Sequence, residues 1–328
     1  MSLGHGAAGY SMRVKLAAIA EIGFEGVEIF YGCLEAFAEE LTGKKTREAM
    51  ITAAEETAKL CKQHNLEVID FQPILNYEGI HDKKEHAERV EEICFRMDLA
   101  KILGTDLLQM AASFLPDHER SHNRDHIVRD LRELADLGLQ RNPPIRFAYE
   151  SMSWSNPVVS WQVSWEMVQA VDRPNFGLVL DAYHIAAYEY ADPSVPGCTR
   201  PDGKERLAKS ISDVKQIPAD KVFFVQLCDA EKLDQPIVKG QSPYYNAEQP
   251  ARMSWSRNCR LFPYEEDRGA FMPIEDVMKG IFSTGFQGFV SYELFTRFMS
   301  TYDEKLPREH ARRAKVSWDK MVERLSLQ

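Results

Sequence analysis

The sequence of 328 residues lacks several features that would assign it to a common class of protein. None of its six cysteines forms a Cys-x-x-Cys pair, which excludes a zinc ribbon and a thioredoxin motif. It has no apolar run long enough to span a bilayer, so no membrane segment is expected. The first residues have neither the basic nor the apolar region of a signal peptide. Scattered thiols are typical of a reduced compartment, and the expected location is the cytoplasm.

An excess of basic residues is also missing. The chain has 40 Lys and Arg residues against 50 Asp and Glu residues, a net charge of −10. No basic stripe is visible, so nucleic acid is not an expected partner. With 44% hydrophobic residues, the composition is that of an ordinary globular protein. A chain of this length buries enough surface to fold without a disulfide or a structural metal.

One pattern recurs along the chain: an amphipathic helix, a Gly, Asn or Pro residue, and then a short apolar run. Helices are predicted at Val14–Ile22, about Arg47–His64, Lys83–Leu103, about His126–Leu137, Ser164–Val171, about Lys204–Val214 and Ile274–Phe282. The apolar runs are short and rich in β-branched and aromatic residues, which is typical of strands buried on both faces. Strands are predicted at Gly26–Phe30, Leu66–Phe71, Asp106–Met110, Ile145–Glu150, Phe176–Asp181, Lys221–Leu227 and Gly288–Phe295.

Regular alternation of strands and helices indicates βαβ units and a parallel sheet. Seven strands follow the first helix, and Met1–Gly4 would be the last residues of a clipped first strand. Eight strands would close an α/β (β/α)₈ TIM barrel. No linker divides the chain, so residues 1–328 are predicted to form a single domain. The alternative, a doubly wound open sheet, would usually carry a Gly-rich phosphate turn, and none is seen.

The segment Asp229–Met272 is predicted to be one long irregular loop between a strand and the next helix. Loops of this length are uncommon in compact domains and are usually functional. In a barrel this loop would lie at the C-terminal face, where active sites are found.

Four predicted strands in succession end in or near a side chain with an oxygen donor. These residues are Glu150, Asp181, Gln226 and Glu293. Three carboxylates that converge at one rim would repel each other, and a divalent cation removes this repulsion. Oxygen ligands suit Mg²⁺ or Mn²⁺, with Co²⁺ or Zn²⁺ as alternatives. The structural alternative is that each residue caps or pairs with its own following helix.

His184 lies three residues after Asp181 and is predicted to project from a loop beside the metal as a proton-transfer residue. His5 and His81 are weaker candidates, and the remaining histidines are assigned structural roles in helices or their flanks. Ser256 and Arg260 lie on the long loop, where they would clamp an anionic substrate. Ordinary surface ion pairs are the alternative for the loop arginines.

Several stretches spread over the chain resemble the 3-dehydroshikimate dehydratases of fungal quinate/shikimate catabolism, within the xylose isomerase-like barrel superfamily. They are Met1–Gly4, Gly26–Phe30, Phe71–Pro73, Asn142–Phe147, Tyr149–Glu150, Arg173–Gly177, Leu180–Asp181, Asp229–Leu233 and Glu248–Phe262. The resemblance implies a hydro-lyase that converts 3-dehydroshikimate to protocatechuate and water. It also implies one divalent metal held by the four oxygen donors. His184 would act as acid/base, and Ser256 and Arg260 would contact the substrate.

The sequence departs from its relatives at one substrate contact. Some relatives carry an Arg after the Gln-Pro motif, whereas here Gln72-Pro73 is followed by Ile74, so that contact would be missing or replaced. A keto-sugar isomerase or epimerase of the same superfamily, an endonuclease IV-like enzyme and a ligand-sensing barrel are the alternatives. The acidic charge and the lack of a His-rich metal motif argue against the endonuclease. Association into a homo-oligomer is left open.

Overall fold

A computed structural model describes residues 2–327 of the protein. Its residues divide into two compact units, one of His5–Val179 and one of Leu180–Gln328 together with Met1–Gly4. The helices are α1 Met12–Glu21, α2 Tyr31–Thr42, α3 Arg47–Gln63, α4 Lys83–Leu103, α5 Arg124–Leu139, α6 Trp161–Val171, α7 Ala182–Glu189, α8 Gly203–Val214, α9 Ala251–Cys259, α10 Ile274–Phe282 and α11 Leu306–Leu325. The strands are β1 Gly26–Phe30, β2 Glu67–Ile74, β3 Leu107–Ala111, β4 Arg146–Glu150, β5 Phe176–Asp181, β6 Val222–Leu227, β7 Asp229–Ala230, β8 Arg260–Leu261 and β9 Val290–Tyr292.

In the unit His5–Val179, five parallel strands pair in the order β1-β2-β3-β4-β5. Every residue of β3 is buried, as expected for a strand covered on both faces. Because all strands run in one direction, their carboxyl ends lie at one edge of the sheet.

Capping side chains fix the starts of α4 and α5 close to where the sequence predicts them. Asp82 accepts hydrogen bonds from the backbone N–H groups of Lys84 and Glu85 at the start of α4. Asn123 accepts two comparable bonds at the start of α5. Gly104 ends α4 with a φ of 88°, a left-handed conformation that favours glycine. These contacts satisfy backbone groups that a helix end would otherwise leave unpaired.

In the unit that contains Leu180–Gln328, β6 and β9 pair in parallel, and β7 pairs with β8 in an antiparallel ladder. The strand predicted at Gly288–Phe295 is much shorter, since β9 covers only Val290–Tyr292. The prediction of a clipped strand at Met1–Gly4 was wrong for the described part, because residues 2–4 form a turn and a coil residue. The Ser2 hydroxyl donates to the backbone oxygen of Tyr292. Met1 lies outside the described residues.

The prediction of an irregular loop over Asp229–Met272 was also wrong. This segment contains α9 and both strands of the short ladder. The helix α9 buries Trp255, whose indole N–H donates to the backbone oxygen of Glu231. Tertiary contacts of this kind stabilise a short helix whose own sequence is a poor indicator. Among the described residues, no helix combines the length and apolar character needed to cross a membrane.

Candidate metal centre

The side chain of Asp181 ends β5 and begins α7. Its Oδ1 accepts a hydrogen bond of 2.7 Å from the backbone N–H of Tyr183, which makes Asp181 the N-cap of the helix. Its other oxygen, Oδ2, accepts a bond of 3.0 Å from Nη1 of Arg260. Burial raises the pKa of Asp181, and the positive charge of Arg260 acts in the opposite direction. The helix-capping alternative therefore holds for one oxygen of Asp181, and the metal-binding role of this side chain stays a prediction.

Arg260 is almost completely buried and uses its guanidinium to join several side chains. Nη1 donates to Asp181 Oδ2 at 3.0 Å, to the backbone oxygen of Glu293 at 3.0 Å and to Glu293 Oε2 at 3.1 Å. Nε donates to Ser256 Oγ at 3.0 Å. The guanidinium carbon lies 4.0 Å from the centre of the Tyr183 ring, a cation–π contact. Burial opposes the charge of Arg260, but Asp181 and Glu293 outweigh it and raise the pKa of Arg260.

His184 lies in α7 rather than in the loop that the sequence predicted, and the reason is the cap that Asp181 provides. Its Nε2 is 3.0 Å from Arg260 Nη2 and 3.7 Å from Asp181 Oδ2. Burial, and then the charge of Arg260, hold the pKa of His184 well below its usual value. An arginine can only donate, so Nε2 faces it as an acceptor and the ring proton is placed on Nδ1. His184 is therefore neutral, with a lone pair that can accept a proton.

Gln226 and Glu293 point to the same face of the sheet. Gln226 in β6 is paired in register with Ser291 in β9, and Glu293 is two residues further along that strand direction. Side chains two residues apart share a face, as do in-register neighbours of parallel strands. Gln226 is completely buried and Glu293 is 7% exposed.

Glu150 belongs to the other unit, where it ends β4 and is 3% exposed. Its Oε2 accepts a hydrogen bond of 2.7 Å from Nε2 of Gln109 in β3. Gln109 was missed by the sequence reasoning, although a polar residue within the apolar run of β3 was the signal for it. The β4 strand pairs in parallel with β5, with Tyr149 in register with Leu178.

One observation supports the binding of a divalent cation by the predicted oxygen donors. Oxygens of two buried carboxylates, Asp181 and Glu293, both lie within about 3 Å of a single cationic nitrogen, Nη1 of Arg260. The carboxylate oxygens of Asp181 and Glu293 therefore lie close together in a buried region, where they stabilise a positive charge. Oxygen donors of this kind suit hard divalent ions. The expected contact of Ser256 and Arg260 with a substrate stays a prediction, because the atoms shown here contact other protein atoms.

Comparisons with known proteins show the family to which the chain belongs. The family described as xylose isomerase-like TIM barrel matches residues 16–318. A 3-dehydroshikimate dehydratase of Neurospora crassa is 45% identical over 335 residues, which covers all of this chain and 93% of the relative. A 3-dehydroshikimate dehydratase of Pseudomonas aeruginosa is 28% identical over 283 residues. That match covers 86% of this chain but only 36% of the bacterial protein.

Among solved structures, the crystal structure of the IOLI protein with a binding zinc atom is similar in fold. It superposes with a TM-score of 0.70 at 18% identity, and the match covers 97% of this chain and 96% of that one. At this identity the likeness bears on the fold alone.

Proposed function

Because the chain belongs to the xylose isomerase-like TIM barrel family, we propose that it is a 3-dehydroshikimate dehydratase of quinate/shikimate catabolism. It is a hydro-lyase that converts 3-dehydroshikimate to protocatechuate and water. The observation that carries this proposal is the 45% identity to the Neurospora crassa enzyme over the whole chain. A cytoplasmic location belongs to the proposal, since the scattered thiols are typical of a reduced compartment.

One divalent metal, Mg²⁺, Mn²⁺ or Co²⁺, with Zn²⁺ as the alternative, would be held by Glu150, Asp181, Gln226 and Glu293. When bound, it would act as a Lewis acid toward the ring carbonyl of the substrate. Three carboxylates, one divalent ion and the Arg260 guanidinium have charges that sum to zero, which supports the presence of both cations. A single catalytic domain over residues 1–328 is also part of the proposal.

His184 accepts the proton that leaves the ring carbon next to the carbonyl, or the vinylogous one. Its low pKa keeps the imidazole neutral, and the lone pair on Nε2 is the acceptor. Nε2 lies 3.0 Å from Arg260 Nη2 in this structure, so Arg260 orients the ring until the substrate arrives. Once Nε2 is protonated, the positive charge of Arg260 favours the return of that proton to the departing hydroxyl group.

Arg260 and Ser256 orient the substrate through its carboxylate. Among the described residues, Nη2 of Arg260 contacts only His184 Nε2, so its second N–H is the group that remains for the substrate. The Ser256 hydroxyl accepts from Nε of Arg260 at 3.0 Å, so it lies beside the guanidinium and would contact the same carboxylate. Proton removal and loss of a ring hydroxyl, followed by tautomerisation, give the aromatic catechol, and aromaticity makes the sequence downhill.

The test is a direct assay. Metal-free protein, reconstituted separately with Mg²⁺, Mn²⁺, Co²⁺ or Zn²⁺, is mixed with 3-dehydroshikimate, and protocatechuate is followed by its ultraviolet absorption and by chromatography. The proposal predicts metal-dependent formation of protocatechuate. An isomerase or epimerase would instead change the substrate without loss of water, and a sensing barrel would bind it without consuming it. Either result contradicts the proposal.

A further inference from the structure

A second group of potential metal ligands lies on two helices of the unit His5–Val179, apart from any strand end. Within α5, His126, Asp130 and Glu133 are spaced i, i+4 and i+7, which places them on one face of the helix. His86 projects from the first turns of α4, and His81 lies in the segment just before that helix. Three imidazoles and two carboxylates thus occur where α4 and α5 pack together.

The donor atoms are already close to one another. Nε2 of His86 is 2.8 Å from Oε2 of Glu133, and Nε2 of His126 is 3.3 Å from Oδ2 of Asp130. One donor atom from each of His86, Asp130 and Glu133 lies within 4.8 Å of the other two. Tetrahedral zinc bonds of about 2.1 Å separate neighbouring donors by about 3.4 Å. The donor atoms of His86, Asp130 and Glu133 thus lie near the spacing that a shared ion requires, whereas His126 lies outside this group and adjoins it through Asp130.

Asp130 is held in place by the protein around it. It is 1% exposed, and its Oδ2 accepts a hydrogen bond of 2.8 Å from the backbone N–H of Gly79. Its Oδ1 accepts from Arg129, a mostly exposed side chain. Tyr77 donates to the backbone oxygen of Asp130 at 3.0 Å, and its ring lies 5.3 Å from that of His86. Contacts that orient ligands in this way are typical of metal sites.

The other ligands can be reached from solvent. The side chains of His86 and His126 are 19% and 22% exposed, and that of Glu133 is 47% exposed. A neutral imidazole is the form that binds a metal. An ion can therefore approach from the exposed side and meet a buried carboxylate already in position.

We propose that His86, Asp130 and Glu133, with His126 as the fourth ligand, bind a divalent transition-metal ion of the zinc type. Imidazole combined with carboxylate favours Zn²⁺, Co²⁺ or Ni²⁺ over the all-oxygen ions Mg²⁺ and Ca²⁺. The ion would cross-link α4 to α5 and stabilise the folded state by binding it in preference to the unfolded chain. The role is structural, because the ligands come from helices and not from the strand ends that carry the proposed catalytic residues.

The test counts bound metal in matched variants. Chelator-treated protein is dialysed against micromolar Co²⁺ and the bound ion is measured by elemental analysis and by its visible absorption. The double variant His86→Gln with Glu133→Gln removes two ligands while it keeps polar side chains of similar size. We expect it to bind one equivalent less than the wild type, and to keep the wild-type dehydratase rate with Mg²⁺ or Mn²⁺.

The control variant carries His122→Gln and Asp117→Asn. This surface pair has the same type of contact, with Nε2 and Oδ1 3.0 Å apart, but among residues 2–327 it belongs to no larger group of ligands. It should bind as much Co²⁺ as the wild type. The expected difference of one equivalent of Co²⁺ between the wild type and the His86/Glu133 variant does not depend on whether the strand-end residues also bind an ion. A failure of this metal-site proposal can therefore be distinguished from a failure of the proposed dehydratase activity.

Two outcomes would overturn the proposal: equal binding by the wild type and the His86/Glu133 variant, or an equal loss in the His122/Asp117 control. Circular dichroism in chelator checks that the variants fold. If the double variant does not fold, the single variant His86→Gln takes its place, with an expected loss of at least tenfold in Co²⁺ affinity. An unchanged affinity in that variant also contradicts the proposal.

Discussion

Nη1 of Arg260 lies 3.0 Å from Oδ2 of Asp181, and the same nitrogen lies 3.1 Å from Oε2 of Glu293. One buried guanidinium thus holds together two of the residues proposed to bind the metal. Removal of Arg260 would leave two carboxylates close together in a region that excludes water. Loss of one member of a buried ion pair is strongly destabilising for this reason.

The variant Arg260→Gln is therefore expected to lose about 3 kcal/mol or more of unfolding free energy in the presence of a chelator. A divalent ion can replace the missing positive charge, so Mn²⁺ should restore more stability in this variant than in the wild type. Urea unfolding with and without Mn²⁺ measures both effects. Arg313→Gln is the control, because it breaks the bidentate ion pair between Arg313 in α11 and Glu265. Neither residue is a proposed metal ligand, so Mn²⁺ should not restore the stability of this variant.

His184→Asn tests the proton-transfer role. It removes the imidazole from the buried position beside Arg260 and should reduce kcat by roughly 10²- to 10⁴-fold, the usual contribution of a positioned acid or base. The metal content should stay close to that of the wild type, since His184 is not among the four proposed ligands. The measurement is the turnover of 3-dehydroshikimate by the purified variant, together with the amount of Mn²⁺ that it binds. A wild-type rate would show that the assigned role is wrong.

Glu150 and Gln109 give a graded prediction. Glu150→Ala should lose the metal and most of the activity. Gln109→Leu removes the hydrogen bond of 2.7 Å to Glu150 but keeps the carboxylate, and should weaken metal affinity by roughly tenfold. Activity at saturating Mn²⁺ should then largely recover in Gln109→Leu and not in Glu150→Ala. Equal metal affinity of Gln109→Leu and the wild type would mean that this hydrogen bond does not support a ligand.

Glu78 predicts how stability changes with pH. Its Oε1 accepts from the backbone N–H of Ser113 and from the Tyr149 hydroxyl, while Oε2 is buried with no partner among the described residues. Burial raises the pKa of Glu78 to about 7. Between its unfolded pKa near 4.5 and this value, the folded state binds more protons than the unfolded state. The contribution of the protonated Glu78 carboxyl to the free energy of unfolding is therefore complete below pH 4.5, the unfolded pKa. It is lost as the pH rises toward the folded pKa of about 7.

Glu78→Gln keeps an acceptor for both donors but cannot ionise. Its stability should fall less steeply between pH 5 and 7, by up to about 1.4 kcal/mol per pH unit relative to the wild type. Urea unfolding of the metal-free protein at pH 5, 6, 7 and 8 gives the two curves. Burial also raises the pKa of Asp229 to about 7. The variant should therefore keep part of the decrease in stability with pH. Parallel curves for the two proteins would refute the prediction.

Most of the elements were predictable because their signals are local. The bounds of Gly26–Phe30, Lys83–Leu103, Phe176–Asp181 and Ile274–Phe282 agree with the structure to the residue. Apolar periodicity, capping side chains and left-handed glycines act over a few neighbouring residues, so they can be read without knowledge of distant contacts. The oxygen donor at or near each strand end is a local signal in the same sense, and it led to the predicted ligands Glu150, Asp181, Gln226 and Glu293.

Other features depended on residues far apart in the chain. Helix α9 is held in place by the hydrogen bond from the indole N–H of Trp255 to the backbone oxygen of Glu231. Arg260 contacts Asp181 and His184, which are 79 and 76 residues away in the chain. The histidines of α4 and α5 were assigned structural roles one by one, and only the packing of the two helices brings His86 to Glu133. The sequence by itself determined the strand–helix alternation, because propensity and patterning act locally. The tertiary structure alone decided which charges meet, because burial leaves a polar group only the partners that folding brings within reach.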